Sequence, residues 1–90
     1  MCTSVVEIVA VQGAGKSEDG WFPVTGAVVS YDHPHHALLD EAITIDFVNA
    51  EMGPSARAAV EITLESAKAL SAALIRAIAA AEEMESGRGQ

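Results

Sequence analysis

A glycine-rich segment over residues 13–24 holds the densest group of side chains that can do chemistry. It reads Gly-Ala-Gly-Lys-Ser-Glu-Asp-Gly-Trp-Phe-Pro-Val, with Lys16 directly after Gly15 and shortly before the only tryptophan, Trp21. Gly13 and Gly15 let a backbone approach a ligand closely, and loops on a rigid scaffold often hold binding groups. A lysine there can bind an anion, form a Schiff base or remain a solvated surface charge. The segment predicts a ligand site that includes Lys16.

The same segment does not fit the phosphate-binding loop of nucleoside triphosphatases. That motif has a longer spacing between its glycines and a lysine that opens a helix. Here one residue separates Gly13 from Gly15, and a strand-like pattern follows. The spacing excludes a nucleoside triphosphatase of this kind.

A second cluster, Asp32-His33-Pro34-His35-His36, contains all three histidines. Imidazole serves as a metal ligand and as a general base. A metal site formed by these histidines is one interpretation, and a polar surface or the rim of a ligand site is the other. No carboxylate or thiol at helical spacing completes a metal site, so we expect no metal. His33, beside Asp32 and Pro34, is the predicted general base.

Cys2 is a candidate because removal of Met1 would place a thiol and an α-amine on one residue. Such a group can act as a nucleophile or carry sulfur. An ordinary thiol near a chain end is the simpler interpretation. A single cysteine forms no internal disulfide, which predicts a reducing, cytoplasmic location.

The turn Gly-Pro-Ser-Ala-Arg over residues 53–57 offers an anion site. Backbone N–H groups, the Ser55 hydroxyl and the Arg57 guanidinium can together hold a phosphate or carboxylate. A hairpin turn followed by an arginine paired with a local acid is an equally good interpretation. Trp21 and Tyr31 are the candidate stacking surfaces for a planar ligand.

Composition limits the classes of function. The 90 residues carry a formal net charge of −8 with five basic residues, and nucleic-acid binding depends on clustered Lys and Arg. We therefore expect no nucleic-acid partner. No apolar run is long enough to span a membrane, and no secretory signal pattern opens the chain. A short chain rich in alanine buries little area per residue, which favours a homodimer.

The periodicity of apolar residues predicts four strands followed by one helix. We expect strands over 5–12, 22–31, 42–48 and 57–62, with connections over 13–20, 32–40 and 49–55. Ile43, Ile45 and Phe47 alternate with Thr44 and Asp46. Short connections favour antiparallel neighbours. The expected fold is α+β: a four-stranded antiparallel sheet and one long C-terminal helix (ββββα), in a single domain over residues 1–85.

Thr63 stands where a helix N-cap belongs. From there the spacing becomes helical, and one apolar stripe contains Leu64, Ala67, Leu70, Leu74, Ala77, Ile78 and Ala81. We expect this helix to cover one face of the sheet and a second subunit to cover the other. Residues 86–90 are polar with two glycines and are predicted to be disordered.

Several motifs together resemble a known family of small actinobacterial proteins classed as a domain of unknown function. They are the start Met-Cys-Thr-Ser, the pattern Gly-x-Gly-Lys-x-x-Asp-Gly-Trp-Phe-Pro-Val, Tyr-Asp-His-Pro, Ile-Asp-Phe and Gly-Pro-Ser-Ala-Arg. The resemblance extends from Met1 to about Ala81. Proteins of this kind are associated with natural-product gene clusters, and one similar protein with pyridoxal-phosphate-dependent cysteine lyase activity. The resemblance therefore implies a small carbon–sulfur lyase that supplies sulfur.

The residues can be assigned to such an activity. Lys16 would hold the aldehyde of pyridoxal phosphate, His33 would move a proton and Cys2 could carry sulfur. The remaining candidates would bind the cofactor: Gly13, Gly15, Asp19, Trp21, Asp32, Ser55 and Arg57. Two alternatives remain open: a non-catalytic dimeric module that binds a small acidic or planar metabolite, and a metal-binding accessory protein that uses the histidines.

Overall fold

The structure is a computed structural model that describes residues 5–32 and 42–88. It contains strands β1 (Val5–Ser17), β2 (Gly20–Asp32), β3 (Ala42–Val48) and β4 (Arg57–Ile62), followed by helix α1 (Leu64–Arg88). A short 3-10 turn, Ala50–Met52, lies between β3 and β4. The strands form one antiparallel sheet in the order β1-β2-β3-β4. The predicted α+β fold, ββββα, is confirmed.

The first connection is much shorter than the sequence suggests. We expected a polar connection over residues 13–20, but β1 continues to Ser17 and β2 begins at Gly20. The prediction was wrong because glycine also occurs inside strands where a neighbouring side chain needs the space. A Cβ atom on Gly15 would lie 3.0 Å from Val24 Cγ2 and 3.2 Å from Phe22 Cζ. The glycine allows these two side chains to pack across the hairpin.

One irregularity interrupts the β1–β2 hairpin. The register shifts between Ala10 and Gly13, where β1 has one residue more than β2. Such a bulge bends a strand and increases its twist. The bulge separates the outer part of the hairpin, which ends in the turn, from the part that pairs within the sheet.

One face of the sheet is almost entirely apolar, and we call it the apolar face. Because side chains of directly paired residues point to the same side of a sheet, the register places three rows of four residues on it. The rows are Val5–Tyr31–Ile43–Ile62, Glu7–Val29–Ile45–Val60 and Val9–Ala27–Phe47–Ala58. Glu7 is their only charged member. The predicted alternation in β3 is confirmed.

The opposite face carries polar pairs between neighbouring strands. The hydroxyls of Ser30 and Thr44 hydrogen-bond to each other. Arg57 donates to Asp46 Oδ1 through Nε at 2.9 Å, and its terminal nitrogen lies 2.8 Å from the same oxygen. These polar pairs link β2, β3 and β4 on this face of the sheet. The buried apolar residues lie elsewhere.

The buried core is small and lies at the bulged end of the sheet. Phe22, Val24 and Ala56 form it, with Val11 and Ala58 packed against them. These residues come from the hairpin, from β4 and from the segment just before β4. The core therefore joins the outer part of the hairpin to the connection between β3 and β4.

Helix α1 begins as predicted. The backbone N–H of Ser66 donates to Thr63 Oγ1 at 3.0 Å, which is the N-cap bond expected from the sequence. The N–H of Ala67 donates to the Thr63 carbonyl at 2.9 Å. The helix continues to Arg88 and so includes the first residues of the segment predicted to be disordered.

The expectation that α1 covers a face of its own sheet is wrong. Between Leu64 and Gly87, every helical residue except Ala67 is exposed, and the helix meets the sheet mainly at β3. A single residue, Thr63, separates β4 from α1. Helices that fold back on a preceding strand usually need a longer connection, so the helix projects away. The described part of the chain contains no helix that combines the length and apolarity needed to cross a membrane.

Candidate functional site

A shallow depression of about 160 Å³ lies where the tip of the β1–β2 hairpin meets the β3–β4 connection. We call it the tip site. Its wall is formed by Ser17, Asp19, Gly20, Trp21, Phe22, Met52, Ser55 and Ala56. Two segments that the sequence singled out separately, the glycine-rich segment and the Gly-Pro-Ser turn, thus meet at one place.

The hairpin tip is held by a short set of local hydrogen bonds. Ser17 Oγ donates to the Gly20 carbonyl and accepts from the Asp19 N–H, both at 3.3 Å. Gly20 has a φ of 111°, a conformation that residues with a side chain rarely adopt. The turn between β1 and β2 therefore has a fixed shape and presents Asp19 and Trp21 from a rigid support.

Asn49 fixes the other wall. Its Nδ2 donates to the Pro23 carbonyl at 2.9 Å, and its Oδ1 accepts from the Glu51 N–H at 3.1 Å. The Asn49 N–H also donates to the Ala56 carbonyl at 3.2 Å. The residue is only 6% exposed. It ties the β3–β4 connection to β2, which brings Met52 and Ser55 beside the hairpin tip.

Sequence reasoning missed Asn49 and Met52. An asparagine at a strand end commonly signals a turn, and this signal was present before the Gly-Pro pair. Its partner Pro23 is 26 residues away along the chain, and no local pattern identifies that contact. Met52 had no sequence signal beyond its apolar type.

Trp21 and Phe22 play opposite roles at the tip. Phe22 is 5% exposed and belongs to the core, whereas the Trp21 side chain is 72% exposed. Lys16 is the direct partner of Trp21 across the hairpin. Directly paired residues have their side chains on the same side, so Lys16 and Trp21 lie on one side of the hairpin. Lys16 stands beside the depression rather than in its wall.

The two side chains of the predicted anion site, Ser55 and Arg57, lie in different places. Ser55 lies in the wall of the tip site, but the Arg57 guanidinium is bonded to Asp46 on the polar face of the sheet. Arg57 here has the role given by the alternative interpretation, an arginine paired with a nearby acid. The structure does not bring Ser55 and Arg57 together around one anion.

The other predicted residues lie away from the tip or outside the described residues. Gly13 and Gly15 lie within β1, and Gly15 is explained by the packing of Phe22 and Val24. Asp32 is the last residue of β2, at the opposite end of the strand from Trp21. Cys2 and the histidines His33, His35 and His36 fall outside residues 5–32 and 42–88.

The gathered residues do not fit pyridoxal phosphate within one chain. A lysine, an acid, a stacking surface and a hydroxyl meet at the tip, but the guanidinium assigned to the phosphate does not. The depression is also smaller than the cavities of roughly 300 Å³ or more that enclose ligands of cofactor size. We therefore derive no reaction step through this cofactor.

The described residues also bear on metal binding. Within residues 5–32 and 42–88, no group of three or more His, Cys, Asp or Glu side chains is placed to hold a metal ion. The histidine segment lies outside those ranges, so the expectation of no metal and the alternative of a histidine metal site both stay untested predictions from the sequence.

The comparisons with known proteins identify a family and no individual relative. Comparison with curated proteins and with solved structures gave no match. A family profile described as "Family of unknown function (DUF6295)" matches residues 1–87, which is nearly the whole chain. The resemblance seen in the sequence motifs thus agrees with the profile, and the chain belongs to the DUF6295 family of unknown function.

Proposed function

We propose that this chain is a non-catalytic binding module for a small, planar, acidic metabolite and that the tip site is its recognition surface. The observation that carries this proposal is the 72% exposure of Trp21 on a turn whose backbone is fixed by hydrogen bonds. A large aromatic side chain that is exposed to solvent on such a turn is a ready stacking surface. Such rings supply contact area at little cost in conformational entropy.

The charges around Trp21 favour an anionic ring. Lys16 is its cross-strand neighbour and is exposed, so its ammonium can reach a carboxylate on a ligand stacked on the indole. Ser55 in the opposite wall adds a hydroxyl. Asp19 stands in the turn and would disfavour a ligand with several negative charges. A ring that bears one carboxylate fits this combination.

The size of the depression supports the same ligand class. A volume of about 160 Å³ accommodates one small ring rather than a nucleotide or a large cofactor. The exposure of the charged residues at the tip also argues for binding rather than chemistry. Lys16 and Asp19 are both exposed, and catalytic acids and bases are usually tuned by burial.

The intrinsic fluorescence of the protein tests the proposal directly because Trp21 is its only tryptophan. We expect pyridine-3-carboxylate and benzoate to change this fluorescence saturably, whereas benzamide, which lacks the charge, binds more weakly. Replacing Lys16 by alanine should weaken the binding of the two carboxylates roughly fivefold, the size of one exposed charge interaction. Lys68→Ala is the matched control because Lys68 is the only other lysine and lies on α1.

A second arm of the experiment tests the lyase that the resemblance implies. The protein is mixed with pyridoxal phosphate, reduced with borohydride and digested for mass spectrometry. Specific labelling of Lys16, together with sulfide release from cysteine, would replace the binding module by a carbon–sulfur lyase. No saturable response to either carboxylate and no labelling would contradict both functions.

A further inference from the structure

Two apolar surfaces of this chain have no partner among residues 5–32 and 42–88. On the apolar face, the large side chains at its margins are about half exposed, as Val60 is at 49%. Along α1, the stripe residues Leu70, Leu74 and Ile78 are 51%, 60% and 48% exposed. Contiguous apolar surfaces of this extent mark interaction sites. Each surface needs an apolar cover.

The total solvent-accessible surface area indicates how much area a partner would have to bury. The chain exposes 6999 Å², whereas a folded monomer of 9.3 kDa is expected to expose about 5000 Å². The radius of gyration is 15.5 Å, against about 12 Å for a compact chain of this length. The excess of about 2000 Å² matches the area that each subunit of an obligate homodimer buries, about 1000–2500 Å².

The length of the connection between β4 and α1 decides whether α1 can cover the apolar face of its own sheet. Only Thr63 separates Ile62 at the end of β4 from Leu64 at the start of α1. A helix that returns over the preceding strand needs a connection of about 2–6 residues. The bond from Ser66 N–H to Thr63 Oγ1 also fixes the direction in which the helix starts. Helix α1 therefore does not fold back over the apolar face of its own sheet.

We propose that the occupant is a second copy of this chain and that α1 of each copy lies across the apolar face of the other. A twofold axis covers both surfaces at once, because the contact between the helix of one copy and the apolar face of the other occurs twice in the dimer. The helix has 25 residues and a length of about 37 Å, which exceeds the width of a four-stranded sheet. The inference does not depend on the ligand of the tip site.

The charge distribution favours this arrangement over other contacts between copies. Each chain has a net charge of −8, so two copies repel each other except where the contacting surfaces lack charge. Glu7 is the only charged residue in the three rows of the apolar face. Leu70, Leu74 and Ile78 form an uncharged row on the helix. These are the surfaces on which two acidic chains can associate.

Pairing of β1 edges is the competing way to join two copies. β1 is an edge strand, and Ile8 on its other face is 74% exposed. Unpaired edge strands can add to another sheet. Edge pairing would leave both the apolar face and the helix stripe in water, and the experiment separates the two arrangements.

The test uses the full chain and light scattering coupled to size-exclusion chromatography. We expect the native chain to be dimeric at micromolar concentration. Leu74→Lys on the helix and Val60→Lys on the apolar face should each raise the dissociation constant by on the order of a hundredfold, because each puts a charge into the contact. Ala72→Lys and Ala59→Lys are matched controls, since they lie on the other sides of the same helix and strand. Both controls should remain dimeric.

Three results would overturn the proposal. One is a native chain that is monomeric at these concentrations with its helix intact by circular dichroism. Another is a dimer that survives Leu74→Lys and Val60→Lys but dissociates with Ile8→Lys, which would establish edge pairing. The third comes from hydrogen exchange of the native chain: protection of α1 should rise with protein concentration, and protection independent of concentration would exclude an intermolecular helix contact even if a variant failed to fold.

Discussion

The tip site and helix α1 are built in opposite ways. At the tip, contacts between distant parts of the chain set the geometry, above all the bond from Asn49 Nδ2 to the Pro23 carbonyl. In α1, local interactions set the structure, namely the Thr63 cap and the helical hydrogen bonds, and the side chains stay exposed. One region is completed by contacts within the chain, whereas the other leaves its apolar stripe exposed. In the dimer proposed above, the contrast separates what this chain stabilises alone from what a second copy would cover.

The largest expected effect is at Asn49. Replacing it by alanine removes two side-chain hydrogen bonds and leaves the Pro23 carbonyl without its donor. We expect the free energy of unfolding to fall by about 2–3 kcal/mol and ligand binding at the tip to be lost, while helix content changes little. Urea denaturation followed by Trp21 fluorescence and by circular dichroism measures both regions.

Glu51→Ala is the control for this change, since Glu51 takes part in the network through its backbone N–H. It should leave stability within about 0.5 kcal/mol of the native value. An Asn49→Ala chain of native stability would show that the tip is not held by distant contacts.

A smaller effect is expected where the hairpin is most closely packed. Gly15→Ala places a Cβ atom 3.0 Å from Val24 Cγ2 and 3.2 Å from Phe22 Cζ. Relieving that overlap should cost about 1–2 kcal/mol of stability, measured by denaturation. Gly13→Ala is the matched substitution, because nothing lies within 4 Å of a Cβ atom there. Equal stability of the two variants would contradict the explanation that Gly15 makes room for Phe22 and Val24.

The smallest effect is expected at the helix start. Thr63→Ala removes the acceptor for the Ser66 N–H and should cost about 1 kcal/mol, with loss of helical signal and little change in Trp21 fluorescence. Thr63→Ser keeps the hydroxyl and should retain nearly all of the stability. A change in Trp21 fluorescence as large as that caused by Asn49→Ala would contradict the separation of the two regions.

The sequence predicted elements whose signals are local. Alternation of Ile43, Ile45 and Phe47 identified β3 and its apolar side, and Thr63 before a 3.6-residue pattern identified the start of α1. The glycines of residues 13–20 were misread because a glycine that ends a strand and a glycine that makes room for a ring look alike in sequence. Gly15 is of the second kind, and only the position of Phe22 reveals it.

The sequence predicted which residue types form the site, but it did not predict which of the candidate residues come together. Lys16, Asp19, Trp21 and Ser55 were all candidates, and the structure brings them to one end of the molecule. Arg57 and Asp32 were also candidates, yet Arg57 pairs with Asp46 and Asp32 ends β2. Which candidates converge depends on hairpin register and on the bond between Asn49 and Pro23, and both are long-range properties. Residue type predicted the chemistry available, and register decided its location.

The sheet order β1-β2-β3-β4 has a kinetic consequence. Every strand pairs with its neighbour in sequence, so each pairing closes a short loop, and topologies with local contacts fold fast. Helix formation is also local and faster than hairpin formation. The chain can therefore form its sheet and helix in a first-order process. In the proposed dimer, folding and assembly would then be successive steps with different concentration dependence, and dilution would slow only the second.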